Sequence, residues 1–328
     1  MAGNKSPQAE KNENTDREIL ISRVFAAPLE LVWQAMTDPR HVVQWWGPRG
    51  FRTTINKMDF RVGGVWEHVM HGPDGTNYPN KSTFKEIVPL ERITYSHGGG
   101  REDGPGASFT ATWTFEMVAA GKTRLTNRMV FPSAAARDFV IKEFDAIEGG
   151  KQTLERLAEH LPPMAAAPGE FVISRVFAAP RKLVWRVWTQ VEHLQQWFGP
   201  KGFTTPVAKL DFRVGGIFHH CMVTSDGTKI WGRFAYREIV APEKLVWVDS
   251  FSDEKGGIVR HPFSATWPQE MLTVVTFSEY EGQTTVTVRW TPLNASAEEQ
   301  KTFDSNHDSM NQGWGGTFER LGIYLAKK

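Results

Sequence analysis

An octapeptide written twice constrains this chain more than any other feature. Ile21-Ser22-Arg23-Val24-Phe25-Ala26-Ala27-Pro28 recurs unchanged as Ile173 to Pro180. Trp45-Trp46-Gly47-Pro48 returns as Trp197-Phe198-Gly199-Pro200, and Asp59-Phe60-Arg61-Val62-Gly63-Gly64 returns as Asp211 to Gly216. All three pairs keep one offset of 152 residues (21 to 173, 45 to 197, 59 to 211). Solenoid repeats run about 20–50 residues, so a period this long is a whole domain duplicated. Each half is long enough to bury its own core without staples.

The bulk properties exclude several classes of function. The formal charge is only +1 over 328 residues, with both signs interspersed, so neither nucleic acid nor a membrane is an expected partner. The single Cys221 excludes an internal disulfide and fits a reducing compartment. The N-terminus lacks an apolar signal core, and no run approaches the roughly 18 apolar residues of a membrane helix. A cytoplasmic location is expected. Thirteen Trp and 21 Phe beside five Tyr are many aromatics, suited to filling a core or lining a cavity.

Residues 1–16 are polar and without periodicity, which predicts a disordered tail. Residues 18–25 alternate as a strand, and Pro28 suits the first turn of a helix whose stripe is Leu29, Val32, Trp33 and Met36. Asp38-Pro39 restarts the chain into a second short helix. Strand signals follow from Phe51, including segments near 81–88, 91–97, 107–118 and 122–131, with Gly98-Gly99-Gly100 reading as a flexible hairpin. One helix is predicted over 133–161, a linker over 162–169, and the same order again up to a helix over 295–328. The domains are thus 17–161 and 170–328. Each is α+β, a curved antiparallel β-sheet around a long C-terminal α-helix, with two short helices after the first strand.

These motifs, together with Glu238-Ile239-Val240, Pro242-Glu243-Lys244-Leu245 and Gly313-Trp314 ahead of Leu321, resemble one family. It is the bacterial relatives of the activator of heat-shock-protein-90 ATPase, within the START-like (SRPBCC, Bet v-like) helix-grip superfamily. The resemblance covers about 17–161 and 170–327, and implies two helix-grip domains with a cavity between sheet and helix. It does not fix a function, because the superfamily spans lipid carriers, hormone receptors, polyketide cyclases and antibiotic-sequestering proteins. The first copy departs from the pattern. The second carries His261 to Pro268 and then Glu270-Met271-Leu272, which the first compresses to Phe109 to Phe115. The first also lacks the helix Trp that the resemblance implies, so it is either specialised or a structural partner.

After the double glycine both copies place an aromatic, a His and a Met at period 2: Trp66, His68, Met70 and Phe218, His220, Met222. Each trio shares one sheet face and is a candidate cavity wall, Met adapting to varied apolar ligands. A core histidine bonded to backbone is the plainer alternative. On the last helix Phe303, His307, Met310, Trp314, Phe318, Leu321 and Leu325 form one stripe. The first copy answers with Phe139, Glu143, Ala146, Gly150, Leu154, Leu157 and Leu161. Ala146 and Gly150 standing for Met310 and Trp314 predict a roomier N-terminal cavity, unless neighbours such as Trp113 or Trp46 fill it. The candidate ligand-binding residues therefore also include Trp113, Trp267, His307, Met310 and Trp314.

No metal and no cofactor are expected. His219 and His220 point to opposite faces of a strand, as do His68 and His71, and one Cys excludes a thiolate cage. No Gly-x-Ser-x-Gly elbow or Ser/His/Asp set can be assembled, so no catalytic residue is assigned. His220 acting with His307 or Asp308 as acid and base keeps an enzyme open. The leading expectation is a non-catalytic binder of a small apolar or aromatic molecule. A polyketide-cyclase-like enzyme with a cavity histidine is the alternative, and a chaperone-linked interaction module the second. Against the last, only a short tail precedes Arg17, where the eukaryotic activators carry a chaperone-docking domain. Two homologous domains on a short linker are expected to pack as an intramolecular pseudo-dimer. Limited proteolysis within 162–169 should then leave the halves associated on gel filtration; halves that elute separately refute the packing.

Overall fold

The computed structural model describes residues 16–104 and 106–328. The expected tail lies outside the described residues apart from Asp16. The chain divides into two compact units at Arg156/Leu157. The first contains β1 (Glu18–Phe25), α1 (Leu29–Thr37), α2 (Pro39–Trp45), β2 (Arg52–Met58), β3 (Val65–His71) and β4 (Asn77–Val88). It continues with β5 (Arg92–Gly100), β6 (Gly106–Ala119), β7 (Lys122–Val130) and α3 (Ala134–Phe144), and α4 (Ala146–Met164) crosses the division. The second repeats the order as β8 (Phe171–Phe177), α5 (Arg181–Thr189), α6 (Val191–Trp197), β9 (Thr204–Leu210) and β10 (Ile217–Val223). It closes with β11 (Lys229–Val240), β12 (Lys244–Phe251), β13 (Glu270–Tyr280), β14 (Gln283–Leu293), α7 (Ala297–Ser305) and α8 (His307–Leu325).

Each unit is an α+β helix-grip domain built on one seven-stranded sheet, in the order β1-β7-β6-β5-β4-β3-β2 and again β8-β14-β13-β12-β11-β10-β9. Every pairing is antiparallel, β1 closing onto β7 (Ile21 opposite Asn127) as β8 closes onto β14 (Ile173 opposite Val288). Alternation drives the strands: Ile19, Ile21 and Phe25 are buried while Leu20 stands in solvent. The first helix buries Val32, Ala35 and Met36. The second starts where the Asp38 side chain accepts from the Arg40 N–H at 2.9 Å with Pro39 in the first turn.

The repeated motifs repeat as hydrogen bonds. Fully buried Trp45 donates its indole N–H to the Ala35 carbonyl at 3.0 Å, as Trp197 does to Val187 at 3.0 Å. The Thr53 hydroxyl donates to the Trp46 carbonyl at 2.7 Å, and Thr205 to Phe198 at 2.8 Å. The turn that follows contains Gly47 at φ +101° and Gly199 at φ +103°, a region only glycine occupies freely. A Cβ at either would also press on Met70 Sδ (3.3 Å) or Met222 Sδ (3.2 Å).

One arginine per domain fastens the C-terminal helix to that turn. Arg156 Nη1 donates to the carbonyls of Gly47 (2.9 Å), Pro48 (3.1 Å) and Phe51 (3.2 Å), and Nη2 to Gln44 (3.1 Å). Arg320 does the same with Gly199 (2.9 Å), Pro200 (3.2 Å) and Gln196 (3.3 Å). A planar guanidinium can satisfy several converging carbonyls at once; a lysine ammonium on a flexible stem cannot hold the same fan.

Three expectations are corrected. The predicted helix over 133–161 is two helices, broken at Asp145, which sits in the left-handed region at φ 47°. The one over 295–328 breaks at Asn306, whose N–H donates to the Phe303 carbonyl at 3.1 Å. Apolar spacing runs on across both breaks, and Asp is among the few residues besides Gly that tolerate the left-handed backbone found at 145. Gly98-Gly99-Gly100 is not a loose hairpin but the end of β5, paired with Ser108, Ala107 and Gly106. Gly99 is there for space, since a Cβ would lie 2.3 Å from Asn80 Oδ1. In addition α4 runs through Pro162 and Pro163 to Met164, within the segment read as linker.

Replacing Arg320 by Met should strand several partly buried carbonyls and cost about 2–3 kcal/mol of stability. Urea denaturation checks this; Arg320→Lys should recover only part of the loss.

Candidate functional site

Each domain holds a cavity between its sheet and its C-terminal helices. The N-terminal one encloses about 460 Å³ and the C-terminal one about 270 Å³. The order of size is the one that Ala146 and Gly150 predicted. Trp46 and Trp113 line the larger space without filling it. Ile21 takes up some of the room opposite Gly150, where a Cβ would lie 2.3 Å from Ile21 Cδ1. In the C-terminal domain Trp314 projects instead, parallel to Trp188 (6.3 Å, 8°) and edge-on to Trp290 (5.6 Å, 72°).

The same strand position supplies an imidazole to both walls. His68 stacks on Trp66 (4.3 Å, 25°) and meets Trp46 edge-on (6.1 Å, 87°). His220 stacks on Phe218 (4.7 Å, 16°) and meets Phe198 edge-on (5.0 Å, 84°). Both rings are buried, both Nδ1 atoms lack a hydrogen-bond partner, and burial drives both pKa values down to about 3. The imidazoles are therefore neutral, and they are weak bases.

Of the remaining candidates, Met70 and Trp113 line the N-terminal cavity, and Met222, Trp267, Met310 and Trp314 the C-terminal one. Trp66 and Phe218 do not reach the cavities; they back the histidines. His307 is outside as well, packed between Phe171 (5.5 Å) and Phe303 (5.5 Å), while Asp308 is exposed. The pairing of His220 with His307 or Asp308 is thus not assembled. The break at Asn306 ends one helix beside His307, and the stripe no longer runs straight through it.

Sequence reasoning missed the residues that most distinguish the two walls. On β5 Tyr95 and His97 face the N-terminal cavity, and the Trp113 indole donates to the Tyr95 hydroxyl at 3.1 Å. Burial raises the Tyr95 phenol to about 12. His97 Nδ1 lies 3.0 Å from Ser82 Oγ, its ring stacks on Phe109 (4.4 Å), and burial lowers its pKa to about 4. One repeat offset on, β12 carries Asp249 where β5 carries His97. The Asp249 carboxyl is buried and takes part in none of the described ion pairs. The Thr273 hydroxyl donates to its Oδ1, yet burial still pushes its pKa up to about 7. Asn80 in β4 is replaced by Gly232 in β11, where a Cβ would sit 3.0 Å from the His220 ring. The signal was available: Leu245, Trp247 and Asp249 alternate inward along β12, so a carboxylate stands in an apolar register.

The C-terminal wall also includes a segment the first domain lacks. Between β12 and β13 the chain makes an excursion that brings Trp267, Pro268 and Gln269 to the cavity, with Trp267 against Phe303 (5.9 Å). The first domain joins β5 to β6 directly across residues 101–105.

A cavity between sheet and C-terminal helix, present in both halves, accords with one family. The chain belongs to the one described as Activator of Hsp90 ATPase homolog 1-like protein, whose profile matches residues 26–162 and again 178–326. No curated protein matches it at a significant level. Among solved structures, protein Ms6760 from Mycobacterium smegmatis is 28% identical over 45% of this chain and 92% of its own, with a TM-score of 0.40. A protein from Arthrobacter aurescens is 26% identical over 46% of this chain and 89% of its own (TM-score 0.42). The di-domain ARO/CYC BexL of the BE-7585A biosynthetic pathway is 12% identical over 94% of this chain and 98% of its own (TM-score 0.37). Among the described residues no helix is long and apolar enough to cross a membrane.

These pKa directions give the domains unequal responses to acid. A depressed histidine contributes stability above its unfolded value of 6.5, lost as pH falls toward the folded value. Asp249 is raised, so its penalty is present above about 7 and relieved as pH falls toward 3.8. Between pH 7 and 5, His68 and His97 together remove on the order of 4 kcal/mol, while a loss of about 2 at His220 is offset by a similar gain at Asp249. Hydrogen exchange at pH 5 and 7, corrected for intrinsic rates, should show the N-terminal sheet losing protection and the C-terminal sheet keeping it. Equal losses in both refute the assignment.

Proposed function

We propose that the chain binds small, largely apolar or aromatic molecules in the two cavities, and that binding rather than turnover is its activity. The observation that supports this most is the pair of cavities itself. Each is walled by aromatic and aliphatic side chains with a few converging polar groups, the composition of small-molecule sites. The N-terminal wall offers an unpaired Asn127 Oδ1 and His68 Nδ1; the C-terminal wall offers the unpaired indole N–H groups of Trp267 and Trp290. Such buried groups reward a ligand that hydrogen-bonds to them. The two domains therefore select different ligands.

A polyketide-cyclase-like enzyme is the second reading. It is favoured by Asp249 and His220 lining one cavity, with the carboxyl poised near neutrality and able to hand on a proton. His220 alone, at about 3, is too weak a base to carry it.

A thermal-shift screen of the full chain against uncharged aromatic, polyketide-like and fatty-acid-like compounds tests the binding reading. Saturation near 100 Kd should stabilise the bound domain by about 2.7 kcal/mol, a shift of several degrees. Ala146→Met, which gives the N-terminal wall the residue found at Met310, should abolish hits in the larger cavity only. Silence across a broad set refutes the reading. Turnover of any hit that is lost in Asp249→Asn establishes the enzyme instead.

A further inference from the structure

We infer that the C-terminal cavity is a site for an organic cation, an aryl or alkyl ammonium compound whose charged nitrogen lies against Asp249 among indole and phenyl faces. This rests on the binding reading above and names the ligand class for one of its two sites.

Three observations converge on it. The wall contains one carboxylate, Asp249, and no lysine or arginine. That carboxyl is approached by neutral donors, the Thr273 hydroxyl and the Trp247 indole, and has no cation partner among the described ion pairs. A buried, unpaired carboxyl is costly, and a positive charge brought by a ligand removes that cost. Around it stand Phe234, Phe251, Trp267, Trp290 and Trp314. Aromatic faces carry the negative end of their quadrupole, so a desolvated cation gains from each one it meets.

The first domain shows that the arrangement is particular to the second. At the matching position its cavity has His97, already engaged by Ser82. Of the carboxylates at its rim, Glu143 is committed to Arg101 at 2.9 Å and Asp145 is exposed. The N-terminal cavity therefore has the greater volume but no free buried anion.

The charge state follows from the neighbours of Asp249. Of the residues lining the cavity only Asp249 and His220 carry ionisable side chains, and burial holds His220 neutral. From β11 the wall presents Gly232 and Phe234, from β13 Met271, and from α8 Met310, Gly313 and Trp314, none of which titrates. His219, Glu270, His307 and Asp308 lie outside the wall. Without a ligand, burial raises the Asp249 carboxyl to about 7, well above the usual carboxylate range. A cation binds its ionised form and displaces the proton, so affinity rises with pH through neutrality and levels off above it.

The test compares benzyltrimethylammonium with neopentylbenzene, its uncharged carbon isostere, on the full-length protein by tryptophan fluorescence and calorimetry from pH 6 to 8. A quaternary nitrogen does not titrate, so any pH dependence belongs to the protein. The cation should bind about tenfold or more tightly than the isostere, by the scale of desolvated cation–π and charge-assisted contacts. Its affinity should rise toward pH 8 with proton release, and Asp249→Asn should abolish the preference and the pH dependence. Asn keeps an acceptor for Thr273, and the pH profile of the unaltered protein stands without the variant. Equal binding of the two probes overturns the cation site while leaving the cavity a binder of neutral molecules. Binding of neither also overturns it, and the uncharged screen then shows whether the cavity binds at all.

Discussion

The fan of hydrogen bonds from one helix arginine to the turn before β2 is the constraint on which each domain depends. Arg156 and Arg320 gather the turn's carbonyls, Gly47 and Gly199 most closely at 2.9 Å, and they do so from within the C-terminal helix. The bonds fix how far that helix stands from the sheet, and so fix the height of the cavity. The turn residues they hold, Gly47 and Pro48 or Gly199 and Pro200, are themselves part of the cavity wall. Burial lowers the pKa of Arg320, but a guanidinium stays charged under all ordinary conditions, so the clamp does not titrate. The opening between helix and sheet is thereby separated from the protonation of what lines it.

That separation explains why the two copies keep one frame and diverge inside it. The positions that repeat without change are those bonded to backbone: Trp45 and Trp197, Thr53 and Thr205, Thr123 and Thr284. The positions that differ are those whose side chains meet other cavity residues, such as 97 against 249, and 146 and 150 against 310 and 314. A cavity position can change without stranding a backbone group, because its partners are other cavity residues. Volume and charge are free to vary; the hydrogen-bonded scaffold is not.

How much of this was legible in the sequence depends on the range of the interaction. The duplication, the strand alternation and the His68 and His220 wall were legible because each is carried by residues within one element or by an identity repeated at fixed spacing. The breaks at Asp145 and Asn306 were not, because apolar periodicity continues across a single residue of altered backbone. The clamp left a trace that went unread: Thr153-Leu154-Glu155-Arg156-Leu157 returns as Thr317-Phe318-Glu319-Arg320-Leu321. Its meaning needs the partner turn, more than 100 residues away in each case. Asp249 was hidden for a similar reason. One acidic residue in a strand reads as an outward side chain until the pairing of β12 with β11 and β13 shows which face is inside.

The contrast between His97 and Asp249 marks the two cavities as different instruments. In the first, most polar groups satisfy one another, His97 with Ser82, Trp113 with Tyr95, and the Asn80 amide donating to the Tyr78 carbonyl at 2.6 Å, while His68 Nδ1 and Asn127 Oδ1 stay unpaired. A wall of that kind is neutral over a wide pH range and rejects little beyond what its shape rejects. In the second, one buried carboxyl has no cation to balance it, and the indole N–H groups of Trp267 and Trp290 have no partner. Leaving buried polar groups short of partners costs stability in the free protein, and that cost is recovered only by a ligand with the complementary chemistry. The smaller cavity is accordingly the more discriminating one: it has less room for a wrong molecule and more to lose by admitting it.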